Sequence, residues 1–211
     1  MKLRIAMFAL CLAAVPAMAD TLYSNGAING TTDAWTINFG FAVSDSFTTA
    51  TNSTLNSIAF GAWLFPGDTI LSTEVLVGLT EYGAELSDQI VNLSQQSCSG
   101  NQYGYNVCTV TGNLGTPVNL LGGVPYWLTL QNAVVNNGDP VYWDENGGAS
   151  SASENSVGTI PSEAFTLIGG GTTTCGGPPC GTTGTTAEPS SVMLFGSGIL
   201  GLASILRRRL F

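Results

Sequence analysis

Histidine is missing from this sequence altogether, and cationic side chains are nearly so. The five basic residues are Lys2, Arg4, Arg207, Arg208 and Arg209, so none falls between Arg4 and Arg207. These absences exclude much chemistry from the interior of the chain. Without histidine there is no Ser-His pair and no ready base near neutral pH. Without lysine there is no Schiff base and no Ser-Lys pair. Without arginine or lysine nothing clamps a phosphate, and an acidic surface repels nucleic acid. Of the fourteen carboxylates only Glu188 lies outside Asp20 to Ala187, which leaves thirteen with no side-chain counter-charge. Glycine is plentiful, at 27 residues, yet no stretch matches a phosphate-binding loop. No internal repeat marks a propeller or solenoid. No part of the body keeps a 3.6-residue period for more than two turns.

What is present begins with the two termini. Lys2 and Arg4 form a positive region, Ile5 to Val15 an apolar core, and Ala17-Met18-Ala19 a small-x-small cleavage pattern. That order predicts a signal peptide over 1–19 and a mature chain starting at Asp20, produced by signal peptidase after export. Large Leu10 precedes Cys11, so this cysteine is not read as a lipidation site and leaves with the peptide. At the other end, Val192 to Leu206 is a run of fifteen apolar or small residues. This is short of the roughly 20 that span a bilayer comfortably. Ser190 and Ser191 lengthen it, and arginine stems snorkel at the far end. The Arg207-Arg208-Arg209 cluster stays cytoplasmic by the positive-inside rule. Both termini therefore predict one topology, a single transmembrane helix over 191–206 with the acidic body across the membrane.

Glu188-Pro189, then an apolar helix containing Gly196, Gly198 and Gly201, then the arginine cluster, resembles a PEP-CTERM sorting signal over 187–211. The family's tripeptide is Pro-Glu-Pro, and here Ala187 stands in place of the first proline. The resemblance implies recognition by exosortase, a membrane-embedded cysteine transpeptidase that cuts near the tripeptide. It also implies release of the cargo outward, into an exopolysaccharide or biofilm matrix.

Residues 169–186 contain only Gly, Thr, Pro and Cys. Such a segment buries too little apolar surface to offset its chain entropy, and it reads as a flexible stalk. Four cysteines remain after export, which suggests two disulfides. Local pairing joins Cys98 to Cys108 around a hairpin tip and Cys175 to Cys180 around a stalk turn. Neither spacing is C-x2-C and no histidine is available, which argues against zinc.

The cargo, residues 20–168, is the size of one domain. Trp35 to Phe39 alternates apolar and polar residues, as a half-buried strand does. Further strand candidates are Leu55 to Phe65, Glu74 to Thr80, Asn106 to Thr111, Tyr126 to Gln131, Val141 to Trp143 and Phe165 to Ile168. Turn signals recur about every ten residues. The pattern predicts an all-β fold, an antiparallel β-sandwich of jelly-roll type. Val43 to Thr48, Ser57 to Trp63 and Pro140 to Gly148 also resemble phrases of PEP-CTERM cargo domains, which again implies a β-sandwich.

Three site chemistries fit this composition. Asp139, Asp144, Glu145 and Asn146 offer hard oxygen ligands for calcium, though without an EF-hand loop. Asp139, Asp144, Glu145 and Glu154 are the carboxylates available for glycoside hydrolysis, with no acid and base singled out. Trp63, Trp127, Tyr142 and Trp143 offer a stacking platform for sugar. Tyr126-Trp127 and Tyr142-Trp143 must each point to opposite strand faces, so one of each pair fills the core. Tyr103 and Tyr105 sit near the hairpin tip and are placed against a neighbouring strand. The reading that results is a non-enzymatic structural or adhesive component of an extracellular polysaccharide matrix, with no cofactor. A carbohydrate-binding module is the alternative, and a carboxylate hydrolase comes third.

Overall fold

The computed structural model describes residues 20–171. Ala17 and Ala19 of the cleavage pattern, the Cys175 and Cys180 pair, and the sorting residues Glu188, Pro189 and Arg207 to Arg209 lie outside the described residues. Twelve strands form. They run as β1 (Asp20–Ser24), β2 (Ala34–Thr36), β3 (Ala42–Thr48), β4 (Ser53–Leu64), β5 (Ile70–Gly78) and β6 (Ser87–Gly100). Then come β7 (Asn106–Leu120), β8 (Pro125–Val135), β9 (Tyr142–Asp144), β10 (Ala152–Glu154), β11 (Gly158–Ile160) and β12 (Phe165–Gly171). All pairings are antiparallel. Among the described residues there is no helix, and so none long and apolar enough to cross a membrane.

The pairings are nested: β5 with β6, β4 with β7, β3 with β8, and β2 with β9. Two rows result, β2-β9-β4-β7 and β3-β8-β5-β6. β12 lines the first half of β4 with β1 outside it, while β10 and β11 extend the second row beyond β3. β6 belongs to both rows. Its first part, to Asn92, pairs with β5, and from Leu93 onward it pairs with β7. Gly112 faces Leu93 at this change of partner. A Cβ there would press on Val91 Cγ1 at 2.5 Å, so the absent side chain lets the two strands close.

Both rows feed one apolar core. An aromatic chain crosses it: Tyr126 against Phe47 at 5.7 Å, Phe47 against Phe165 at 6.5 Å, Phe165 against Trp143 at 5.7 Å, and Trp143 against Phe60 at 6.2 Å. The Phe47–Phe165 contact joins β3 of one row to β12 beside the other. Tilted and edge-on pairs of this kind add roughly 0.5–1.5 kcal/mol each beyond their buried area.

Two expectations shift. The strand read over Trp35 to Phe39 stops at Thr36. Ile37 is instead held through its backbone by Val141 and Ala133, and Asn38 bonds Val141 N and Asp139 O. The chain then turns through Phe39, at φ 57°. The domain also runs past residue 168, because Gly169, Gly170 and Gly171 complete β12 against Leu55, Thr54 and Ser53. Composition made these glycines look like stalk, but paired backbone amides hold them in the ladder.

This pairing sets apart two neighbouring glycines. A Cβ on Gly169 would collide with the Thr54 carbonyl oxygen, while one on Gly170 meets nothing within 4 Å. Gly169→Ala is expected to lower unfolding free energy by about 1–3 kcal/mol. Gly170→Ala should stay within about 0.5 kcal/mol of the parent. Denaturant unfolding of both variants checks this, and equal, negligible effects would contradict a strand through Gly171.

Candidate binding site around the stapled hairpin

The end of β4 alternates faces. Ala62 and Leu64 enter the core, which sends Trp63 to the opposite side. On neighbouring β9, Trp143 is paired with Ala62 and Tyr142 with Trp63. Trp143 therefore goes inward, while Tyr142 and Asp144 share the outer side with Trp63. The Asp144 carboxylate accepts three donors: Trp63 Nε1 at 2.6 Å, Gly30 N at 2.9 Å and Asn29 N at 2.8 Å. It thus ties the loop after β1 to the face of β4. Burial raises its pKa, against the lowering effect of those donors.

The β6–β7 hairpin tip closes over this face. Cys98 and Cys108 form the expected disulfide. Inside the staple, Asn101 Oδ1 accepts the amides of Tyr103 and Tyr105 at 3.0 Å each. The tip reaches the loop after β1 through Asn101 Nδ2 to Gly30 O and Tyr103 Oη to Thr31 O, both 3.2 Å. Tyr103 stacks on Trp63 at 5.6 Å, and Tyr105 touches Trp63, Phe65 and Tyr142. Trp63 is left 4% exposed beneath them, whereas Tyr103 is 52% exposed. Burial, then neighbouring Tyr105, pushes the Tyr142 hydroxyl up to about 12.

Clefts flank the tip. One, of about 340 Å³, is walled by Thr32, Asp33, Trp63, Tyr103 and Tyr105. A smaller one of about 110 Å³ adds Ala34 and Tyr142. On the other side, about 440 Å³ opens between the Ile28–Thr31 loop and β6–β7, lined by polar Ser97, Ser99, Asn101 and Gln102. Aromatic edges beside a carboxylate and amides suit the faces and hydroxyls of a sugar ring.

The structure brings Trp63 and Tyr142 together, as a stacking platform requires, and adds Tyr103 and Tyr105. It corrects two other members. Trp143 is fully buried and bonds Ala164 O through Nε1, so it packs the core. Trp127 stands on β8 in the other row. Its neighbour Tyr126 fills the core, and Tyr126 Oη accepts Leu121 N. Asp33 and Phe65 belong to the face but carried no sequence signal, since a lone acid and a lone aromatic occur in any turn.

The calcium and hydrolase candidates separate. Asp139 lies in a turn where it accepts Asn137 Nδ2. Asp144 points to the outer face, and adjacent Glu145 turns the other way to accept Trp35 Nε1 at 3.0 Å. Asn146 anchors Asn25 O and Ser162 Oγ. Glu154 Oε2 accepts Ser156 N, Ser156 Oγ and Val157 N. Among the described residues no three acidic or thiol groups stand together as a metal cage.

A second cluster, unread in the sequence, lies inside. Asp45 of β3 and Glu163, just before β12, are both fully buried. Asp45 Oδ2 accepts Glu163 N at 2.7 Å and Asn25 Nδ2 at 3.2 Å. Burial pushes the Asp45 carboxyl up to about 6, partly offset by Ser150 and the amides of Glu163 and Ser46. Burial drives Glu163 well above its ordinary range, helped by the negative charges of Asp45, Glu145, Asp144 and Asp33.

Compared with known proteins, the chain matches no family model, no curated sequence and no solved structure.

The raised carboxyls set a sign for the pH dependence. Folded Asp45 keeps its proton up to about 6, while its ordinary value is 3.8. Its contribution is fully present below 3.8 and is lost as pH rises through about 6, and Glu163 extends the loss upward. Half-buried Glu74 and exposed Glu85 shift the other way, and solvent screens both. In metal-free buffer the chain should melt at higher temperature at pH 5 than at pH 7.5. Asp45→Asn should remove about 1–1.5 kcal/mol of that difference. Thermal melts across this range check it, and a slope unchanged in the variant would refute it.

Proposed function

We propose that the chain is an exported, membrane-tethered acidic β-sandwich of jelly-roll type, processed by an exosortase-like enzyme. It then serves as a structural or adhesive component of an extracellular polysaccharide matrix. The observation that carries this reading is the confinement of all five basic residues to two terminal segments, each ordered as a membrane-handling signal. The nested strand pairs and the two rows support the jelly-roll assignment. The Cys98–Cys108 bridge is consistent with an oxidising compartment. The uncompensated acidity keeps such a domain soluble at high local concentration, since like-charged copies repel.

Intact mass of the protein from its native cells tests this. Membrane and extracellular fractions are compared. The expected extracellular species begins at Asp20 and ends near Glu188. A chain found only in the membrane and still ending at Phe211 would remove the release step and with it the matrix role.

A specific observation favours the second reading, a carbohydrate-binding module. Tyr103, Tyr105 and Tyr142 gather over Trp63 beside Asp33, around clefts at one end of the fold. With no cation in residues 20–171, such a site prefers neutral glycans to anionic ones. The chain should then be retained on a neutral polysaccharide matrix, and the Tyr105→Ala, Tyr142→Ala double variant should elute earlier. Equal elution of parent and variant would dismiss the aromatic face as the binding surface.

A further inference from the structure

Glu163 is the buried carboxylate with neither oxygen partnered. Its Oε1 and Oε2, with Asp45 Oδ1, make up half of the six buried side-chain atoms lacking a hydrogen-bond partner among the described residues. Asp144, Glu145, Glu154, Asp68 and Asp45 each receive at least one donor. Glu163 is fully buried, its backbone amide donates to Asp45 Oδ2 at 2.7 Å, and the charges acting on its carboxyl are those of Asp45, Glu145, Asp144 and Asp33. All are negative. No lysine, arginine or histidine exists in residues 20–171 to balance them. Two buried carboxylates placed so, one of them without any donor and the other with one oxygen unpartnered, are strongly disfavoured in the charged form unless a positive charge joins them.

We propose that Asp45 and Glu163 form a calcium site in the interior of the domain, completed by the neutral oxygens around them. Asn25 Nδ2 spans the cluster as a donor to Asp45 Oδ2, Ser150 Oγ and the Glu163 carbonyl oxygen, so the neutral oxygens at hand for a cation are Ser150 Oγ and that carbonyl. Ser150 ends the loop that starts at Asn146, whose Gly147 and Ala149 are exposed, so this loop is the covering through which a cation enters. The donor set consists of hard oxygens, with no imidazole, and both described cysteines are locked in the disulfide. That selects calcium over zinc or copper. Two carboxylates with irregular neutral oxygens suit calcium's variable coordination better than magnesium's strict octahedron. The ligand pair differs from the Asp139, Asp144 and Glu145 set, whose side chains take separate hydrogen-bond partners, although Glu145 and Asp144 stand among the negative neighbours of Glu163. Because only two carboxylates meet, the affinity falls in the range of extracellular modules, a Kd of about 10⁻⁴–10⁻³ M.

The test is calorimetric titration of the metal-stripped full-length chain with calcium chloride at pH 7.5, with magnesium chloride as comparison. One calcium per chain is expected, with magnesium much weaker. Glu163→Gln and Asp45→Asn should each weaken binding by about tenfold or more. Asp139→Asn, in its exposed turn, should bind as the parent does. No saturable binding across the millimolar range would overturn the proposal. So would variants at Asp45 and Glu163 that bind as well as the parent. A Glu163→Gln chain that gains stability while neither it nor the parent binds calcium would identify a protonated centre instead, and would also overturn it. Should Glu163→Gln fail to fold, Asp45→Asn decides, because its side-chain oxygen still accepts the Glu163 amide.

Discussion

Everything in this domain is arranged around carboxylates that have no cation to meet. In most proteins a buried acid is neutralised by arginine or lysine. Here that solution does not exist between Arg4 and Arg207. Neutral donors take its place at all but Glu163, and the acids they hold become structural fasteners. Asp144 gathers two amides and an indole, so it fixes the loop after β1 against β4. Glu154 closes its own turn through Ser156 and Val157. Glu74 receives Gln131 and Asn132 across the β5–β8 pair. Hydrogen bonds to charged acceptors are stronger than neutral ones, by about a factor of two. A chain rich in acids and poor in bases thus obtains its turn and loop geometry from the acids themselves.

The nested pairing explains where these fasteners act. Folding a long hairpin back on itself brings distant segments into neighbouring positions, so contacts of high sequence separation cluster at the ends of the rows. The aromatic face forms where β4, β9 and the β6–β7 tip meet. Its shape depends on Asp144 holding Trp63 and on the disulfide holding the tip. The acidic centre forms where β3, the loop after β9 and the segment before β12 converge. Asn25 reaches across 138 residues to the Glu163 carbonyl there. The aromatic chain from Tyr126 to Phe60 crosses the apolar core. That chain supplies the apolar stabilisation against which the polar centres are set.

Local features were legible in the sequence, and non-local ones were not. The all-β class followed from alternation and turn spacing. The Cys98–Cys108 pair was readable because ten residues around a Gly-rich tip leave few other partners. The splitting of Tyr126-Trp127 and Tyr142-Trp143 between faces follows from strand geometry alone. Which member goes inward does not, because that depends on the strand each pairs with. β6 went unread because Ser87 to Gly100 is mostly polar, with only Val91 and Leu93 turned to the core, and gains its place by pairing with β5 and then β7. Adjacency did not bring the Asp139, Asp144 and Glu145 side chains to common partners. Nearness in sequence suggested a shared ligand, yet neighbours on a strand point apart. Asp45 and Glu163 lie 118 residues from one another, and nothing local announces their meeting.

The terminal segments and the domain speak to different questions, and their answers do not depend on each other. The signals proposed for the two ends concern where the chain would be sent. They would read the same with any cargo between them. The aromatic clefts and the acidic centre concern what the cargo touches, and they would stand if the termini were exchanged for others. An all-β antiparallel framework does not choose among functions, since such folds serve capsids, lectins and enzymes alike. The choice therefore rests on surface chemistry. A face with tyrosines over a buried tryptophan, on a body that repels anions, fits a neutral polymer. A body that lacks cations can approach an acidic polymer only if cations are supplied from outside, because its own side chains offer none.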